Sequence, residues 1–304
     1  MSEFYITDTQ KESYLTNGYV HFKGAIPLSL IERWQDKAEQ LEKEGLKRYT
    51  EGEASTSIAI SQDTVGPRVM RYNNVNAAES QLSSELLSSH AMVMIYRELC
   101  GAGCIPINMD LIYKQQHPHP IVNWHQDAPH SRAYPFANIG IYLDDAKADD
   151  GCLRLVPKSH FKWHDIEQLT SSYGWDIPGV VEVPVQAGDI VVHDMMILHG
   201  SMPKRSSGVR RTLYLECRPM AAIQDEGRNS REWLELRKQW MAQILKQSST
   251  GLWPDDWQQD YPNVMGDHHA LMVSIRDKRE PTIPANWGKQ VMVTDNYPIP
   301  FYLR

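Results

Sequence analysis

His125 and Asp127 stand two residues apart in the stretch Trp124-His125-Gln126-Asp127. On an extended strand, residues i and i+2 point to the same face, so both side chains reach one point in space while Gln126 faces away. That is the geometry of two adjacent metal ligands. His199, in the strand-like run Met196-Ile197-Leu198-His199-Gly200-Ser201, supplies a third. A His-x-Asp with a distant His is the ligand set of the facial triad for iron(II), whose open positions take cosubstrate and oxygen. Taken singly, each piece has a plainer reading: His-x-Asp as a surface pair and His199 as a hydrogen-bonded edge histidine.

Arg210 turns the pieces into a pattern. It lies eleven residues after His199, across an expected hairpin turn at 203–208. Alternation on the return strand puts Arg210, Thr212, Tyr214 and Glu216 on one face and Arg211, Leu213, Leu215 and Cys217 on the other. With Leu213 and Leu215 packed on a helical layer, Arg210 points into the interior. A buried guanidinium needs an anion, and a dicarboxylate chelating the metal at one end offers its free carboxylate at the other. Ser201 shares the face of His199, two residues away, where its hydroxyl can bind the same carboxylate.

The remaining histidines read differently. His117 and His119 sit in a proline-bearing loop and are expected to face substrate or solvent. His130, three residues past Asp127, is a weaker candidate for the substrate side. His193 and Asp194 are adjacent, so on a strand their side chains diverge and only one faces inward. His268 and His269 are expected in a surface loop.

These residues need strands to hold them. Between 105 and 219 the chain consists of short β-type runs broken by turn residues, including INMDLIYKQ, FANIGIYLDD, GCLRLVP, GDIVVHD and VRRTLYLECR. Many short strands without intervening helices favour an antiparallel sandwich or barrel. Helices are expected over 7–15, over 27–45 with its end at glycine, over 80–99 ending near Gly101, and over 229–246. GYVHFKGA reads as a strand between the first two. The Trp- and Pro-rich tail, with Trp253, Trp257 and Trp287, reads as an ordered covering segment. No repeat and no low-complexity linker divides the 304 residues, which are therefore read as one domain.

The formal charge is −7, from 31 Lys and Arg against 38 Asp and Glu. That balance argues against nucleic acid and anionic membrane as partners and points to a small-molecule substrate. The start lacks a basic and an apolar signal region, and no run of about 18 apolar residues occurs, so a cytoplasmic address is expected. Cys100, Cys104, Cys152 and Cys217 do not form a disulfide framework, and Cys100 and Cys104 are expected to be buried thiols.

The runs LIYK, WHQD, DDGCLRLVPKSH, VPVQAGDIVVHD, LHGS and RRTL, in that order, resemble the phytanoyl-CoA dioxygenase family of iron(II)- and 2-oxoglutarate-dependent oxygenases. The opening GYVHFKGAIP with its flanking helices extends the resemblance over 2–219. It implies a mainly β fold with flanking helices around a double-stranded β-helix, a jelly-roll core of cupin-like type. Within one oxygenase domain spanning 1–304, 1–104 would be mainly helical, 105–219 the jelly roll, and 220–304 a C-terminal helix and covering segment.

The resemblance makes His125, Asp127 and His199 the iron ligands, and Arg210 and Ser201 the anchor for the distal carboxylate of 2-oxoglutarate. Lys114 and Gln126 match cosubstrate-side positions of the family. Gly140 stands where some members carry a tryptophan, which implies extra space beside the cosubstrate. The implied reaction consumes oxygen and 2-oxoglutarate, releases succinate and CO2, and oxidises a substrate C–H. Related halogenases lack the carboxylate held here by Asp127, so hydroxylation or another oxidation is expected instead. The substrate pocket would lie at the open mouth of the jelly roll. Asp110, on the parity of Lys114, is a candidate for it, as are Asn138, Tyr142 and His130. A plainer partner for Asp110 is Lys114 itself. A cupin-like isomerase or hydrolase that does not use 2-oxoglutarate is the alternative, and it leaves Arg210 without a role.

Overall fold

The β-type runs pair into two antiparallel sheets in the computed structural model, which describes residues 4–53, 55–63, 66–116, 122–128, 130–248, 250–264, 266–281 and 283–288. The strands are β1 (Tyr19–Phe22), β2 (Ile58–Asp63), β3 (Gly66–Tyr72), β4 (Cys104–Gln115), β5 (Val122–Gln126) and β6 (Ala137–Tyr142). They continue with β7 (Leu153–Val156), β8 (Val181–Val183), β9 (Ile190–Asp194), β10 (Leu198–Ser201), β11 (Val209–Pro219) and β12 (Asn286–Trp287). Among the described residues the larger sheet has the order β1-β9-β6-β11-β4-β3-β2 and the smaller the order β12-β5-β10-β7-β8. The run β9-β6-β11-β4 faces β5-β10-β7-β8, so from β4 to β11 consecutive strands fall alternately on the two sheets, except for the hairpin pair β7 and β8. That is the expected double-stranded β-helix.

Alternation along the strands decides what each face meets. Leu111, Tyr113, Ile139, Ile141, Leu213 and Leu215 pack outward against Trp34 of the helix Leu28–Thr50 and Trp240 of the helix Arg231–Gln247, in a core that reaches from Ile6 to Ile275. Between the sheets lies a smaller apolar group that includes Leu153, Leu155, Val191 and Ile197. Helices thus cover one face of the larger sheet and leave its other face, with Arg210 on it, for the interior. The first helix, Asp8–Asn17, begins at a capping box made by Thr7 and Gln10. All four cysteines are buried free thiols.

Some elements differ from expectation. The second helix runs past Gly45 to Thr50 because that glycine does not end it. A Cβ there would sit 3.2 Å from Ile58 Cδ1, so the glycine lets the helix pass close over β2 and β3. The expected helix over 80–99 is divided into Ser80–Leu87, His90–Ile95 and a π turn at Tyr96–Cys100. The break falls at the serine pair, where Ser89 is extended (φ −63°, ψ 154°). The largest omission is the hairpin of β2 and β3, inside the stretch expected to be mainly helical. It adds two strands to the edge of the larger sheet beside β4.

Candidate metal centre

β10 lies between β5 and β7, and its register sets His199 directly opposite His125. The two rings stand 4.0 Å apart at 47°. His125 Nδ1 is 2.8 Å from the Asn123 carbonyl and His199 Nδ1 is 2.9 Å from the Ile197 carbonyl, each on its own strand two residues back. These carbonyls fix the proton on Nδ1 and leave Nε2 as a lone-pair donor. Asp127 is the first residue past β5, and its backbone N–H donates to Met195 O at 2.8 Å. Its carboxylate comes within 3.2 Å of His125 Nε2 and 3.7 Å of His199 Nε2. One ligating atom from each residue lies within 4.8 Å of the others, and among the described residues no further group of three meets that condition.

Burial alone would raise the Asp127 carboxyl, but His199 and then His125 overcome it and hold it below the usual carboxylate range. Burial, reinforced by His125, pushes His199 the other way, well below its ordinary value. An ionised carboxylate beside a neutral imidazole is the protonation pattern a divalent cation requires. Asn138 Nδ2 donates to Asp127 Oδ2 at 3.0 Å from the facing sheet. A group that orients a ligating carboxylate typically contributes 10–100-fold in metal affinity. Asn138→Ala is therefore expected to weaken metal binding about tenfold at least, measured by competition with a chromophoric chelator. Unchanged affinity would show that the amide holds nothing in place.

Arg210 opens on the same space. It is 3% exposed, donates from Nη1 to Gly151 O at 3.1 Å, and has no hydrogen bond at Nε. Among the described residues no carboxylate pairs with it. Ser201 Oγ and Thr212 Oγ1 are likewise buried without a partner. His125, Asp127, Asn138, His199, Ser201 and Arg210 line one cavity of about 360 Å³. Buried polar groups left without partners mark an intended ligand, and a guanidinium with the Ser201 hydroxyl on the same cavity suits a carboxylate. The donors present therefore fit both a divalent metal and a dicarboxylate that chelates it.

The other candidates divide. Lys114 faces Arg210 across the β4–β11 register but is fully buried and outside the cavity lining; burial and then Arg210 push its ammonium pKa down. Gln126 does not reach the cosubstrate side. Its amide donates to Met196 O (2.6 Å) and Lys162 O (3.0 Å) and accepts from the His164 N–H (3.0 Å), which clamps the neighbouring loop. Tyr142 lies below Arg210, 5.7 Å from its guanidinium, in the apolar group between the sheets. His130 stacks on Phe136 and lies 3.2 Å from Asp194, lining a separate cavity. Asp110 has a partner, but it is Arg71 of the unexpected β3 and not Lys114. Of His193 and Asp194, only His193 turns toward the centre, 4.6 Å from the His199 ring. His268, expected in a loop, starts the helix His268–Asp277 and bonds Gln243 and the Ser80 carbonyl. His117 and His119 lie outside the described residues.

Gly140 does not leave the extra space expected of it. A Cβ there would fall 2.9 Å from Tyr214 Cε1, because the Tyr214 ring, directly opposite in register, occupies that space. Tyr214 and Trp287 are lining residues to which spacing assigned no role. β12 pairs with the free edge of β5, setting Trp287 opposite His125, on whose ring it stacks at 4.1 Å and 10°. Trp287, His125 and His199 thus form a row across three strands. Only pairing between distant segments produces that row.

The phytanoyl-CoA dioxygenase family model matches residues 14–212, a span that contains the triad, Ser201 and Arg210. The chain belongs to the phytanoyl-CoA dioxygenase family. This family is one of iron- and 2-oxoglutarate-dependent dioxygenases, and the donor set agrees with both groups. The chain is similar to dioxygenase olcK of Penicillium canescens, 25% identical over 217 residues that cover 67% of each chain. A probable alpha-ketoglutarate-dependent hypophosphite dioxygenase of Stutzerimonas stutzeri is 25% identical over 224 residues, 68% of this chain and 76% of the relative. The crystal structure of AviO1 from Streptomyces viridochromogenes superposes with a TM-score of 0.61 at 27% identity, covering 72% of this chain and 97% of that one. Trp287 lies beyond the part matched by the family model. None of the described helices is long and apolar enough to cross a membrane.

Proposed function

We propose that the chain is a dioxygenase that hydroxylates, or otherwise oxidises, an unactivated C–H bond of a small molecule, with 2-oxoglutarate and oxygen consumed and succinate and CO2 released. The observation that carries this reading is Arg210, a buried guanidinium with no acidic partner among the described residues, facing the same cavity as the triad. A metal-dependent isomerase or hydrolase gives that cation nothing to bind.

In this reading His125, Asp127 and His199 hold iron(II). When bound, the iron supplies the electrons for oxygen activation and a template for the keto acid. Asn138 keeps the Asp127 carboxylate in place, and the Asn123 and Ile197 carbonyls keep the two imidazoles turned to the centre. Arg210 and Ser201 bind the distal carboxylate of 2-oxoglutarate and so fix the rotation of the molecule about its chain. The stacked ring of Trp287 covers His125 and limits solvent at the mouth. The C-terminal segment thereby belongs functionally to the jelly roll, and we read 1–304 as one oxygenase domain. The similarity to a probable alpha-ketoglutarate-dependent dioxygenase supports the choice of cosubstrate.

Succinate formation tests the proposal. Purified protein is expected to convert 2-oxoglutarate to succinate slowly without a primary substrate, and only with iron(II) and oxygen both present. Succinate formed equally well without iron(II), or none formed with all components present, would remove the reading.

A further inference from the structure

Once the triad and Arg210 are assigned, a second guanidinium in the cavity is left without a task. Arg71, on β3, lines the cavity together with the apolar side chains of Met70, Ile112, Val122 and Leu153. It is held from behind. Its Nη2 bonds Asp110, whose side chain is 3% exposed. That carboxylate is itself fixed by the Asn74 N–H (2.7 Å) and Asn108 Nδ2 (3.0 Å). A surface arginine ordinarily loses several side-chain rotations on binding. Arg71 has already lost some of them to a carboxylate that cannot move. The other donors of its fork, Nη1 and Nε, make no hydrogen bond among the described residues, and the side chain is 47% exposed.

Charge bookkeeping within the site assigns the free edge. A bound 2-oxoglutarate directs one carboxylate to the metal and the other to Arg210, so neither is left for Arg71. A planar fork with open N–H donors recognises a carboxylate or phosphoryl group in preference to a single hydroxyl. The apolar residues beside it suit an aliphatic stretch between that anion and the metal. A cavity of about 360 Å³ shared with the cosubstrate takes a small molecule.

We infer, resting on the function proposed above, that Arg71 anchors an oxyanion substituent of the primary substrate, which is therefore a small carboxylate- or phosphoryl-bearing molecule with its reactive carbon held over the triad. Asp110 is a positioning residue that acts through Arg71. No sequence signal predicts this pair, since Arg71 reaches the site only through the β2–β3 hairpin.

The test uses the whole chain loaded with manganese(II) and 2-oxoglutarate, and two probes, propionate and methylphosphonate. Each probe is titrated while the relaxation of its methyl protons is followed by NMR, since the paramagnetic metal enhances relaxation only for a probe bound near it. At least one probe is expected to show the enhancement without displacing 2-oxoglutarate, and which one does so separates a carboxylate from a phosphoryl substrate. Arg71→Gln should weaken that probe about tenfold or more, a loss of about 1.4 kcal/mol. Arg71→Lys, which keeps a cation beside Asp110 but loses the fork, should fall between the two. Both variants should bind 2-oxoglutarate as the parent does, which shows that they fold. The inference is overturned if neither probe binds, if the probe displaces 2-oxoglutarate, or if Arg71→Gln binds it unchanged. If 2-oxoglutarate itself fails to bind the parent protein, the proposed function falls, and this inference with it.

Discussion

Replacing Arg210 by methionine is expected to leave the thermal midpoint of the metal-free protein undiminished while weakening 2-oxoglutarate binding at least about 30-fold, the lower end of the 2–5 kcal/mol lost when one partner of a buried charge pair is removed. The two effects have one cause. Arg210 is buried with a single backbone acceptor at Nη1 and no acidic partner among the described residues, directly across from the buried Lys114. Burial first, and the charge of Arg210 second, push the Lys114 ammonium well below its ordinary value, so no charge nearby on β4 favours a buried guanidinium. Burying a charge without a counter-ion costs stability, and an apolar side chain of similar length removes that cost while filling the space. In the proposed function the anion comes from outside the chain, which accounts for the unfavourable burial. Differential scanning fluorimetry of the apo protein and titration of nickel-loaded protein with 2-oxoglutarate measure the two quantities. An unchanged affinity would remove Arg210 from the site, whereas a large drop in the apo midpoint would make it a structural residue.

Asp127→Ala is expected to abolish both metal-induced stabilisation and 2-oxoglutarate turnover. A metal bound only by the folded state at about a hundred times its dissociation constant adds about 2.7 kcal/mol. With an unfolding entropy near 2 cal/mol/K per residue, that is roughly 4 °C for a chain of this length. The parent protein should show this rise on adding nickel(II) and the variant should not. Asp127 sits one residue past β5, 21% exposed at its side chain, so its truncation leaves no large hole in the core. It is the anion of the triad, and without it a divalent ion would face two neutral imidazoles with no compensating charge. Iron-dependent succinate formation should fall by a factor of about 10³ or more, equivalent to about 4 kcal/mol. Retention of the thermal shift together with turnover in Asp127→Ala would show that the metal is held elsewhere.

Legibility in the sequence followed the range of the physical rule involved. His125 and Asp127 were readable because strand alternation acts over two residues, and the same rule placed Arg210, Thr212 and Tyr214 on the face opposite Leu213 and Leu215. It also separated His193 from Asp194 and turned Gln126 away from the centre, where the structure finds its amide spent on backbone groups. Helix ends were less legible. Gly45 has the residue type of a helix terminus but serves a close approach to Ile58 that arises only when the hairpin packs beneath the helix.

The sequence by itself determined the donor chemistry, the face each donor occupies on its own strand, and the order of motifs that marks the family. Only the tertiary structure decided which distant donors meet. His199 finds His125 through the β5–β10 register, Tyr214 fills the space over Gly140 through the β6–β11 register, and Trp287 reaches His125 by adding an edge strand. Arg71 takes Asp110 from Lys114 because the β2–β3 hairpin joins the sheet beside β4. Register and strand order are set by the burial of whole faces and the closure of long loops, which are sums over many residues. No local spacing records such sums, so the candidate ligands could be named in advance but the walls of their cavity could not.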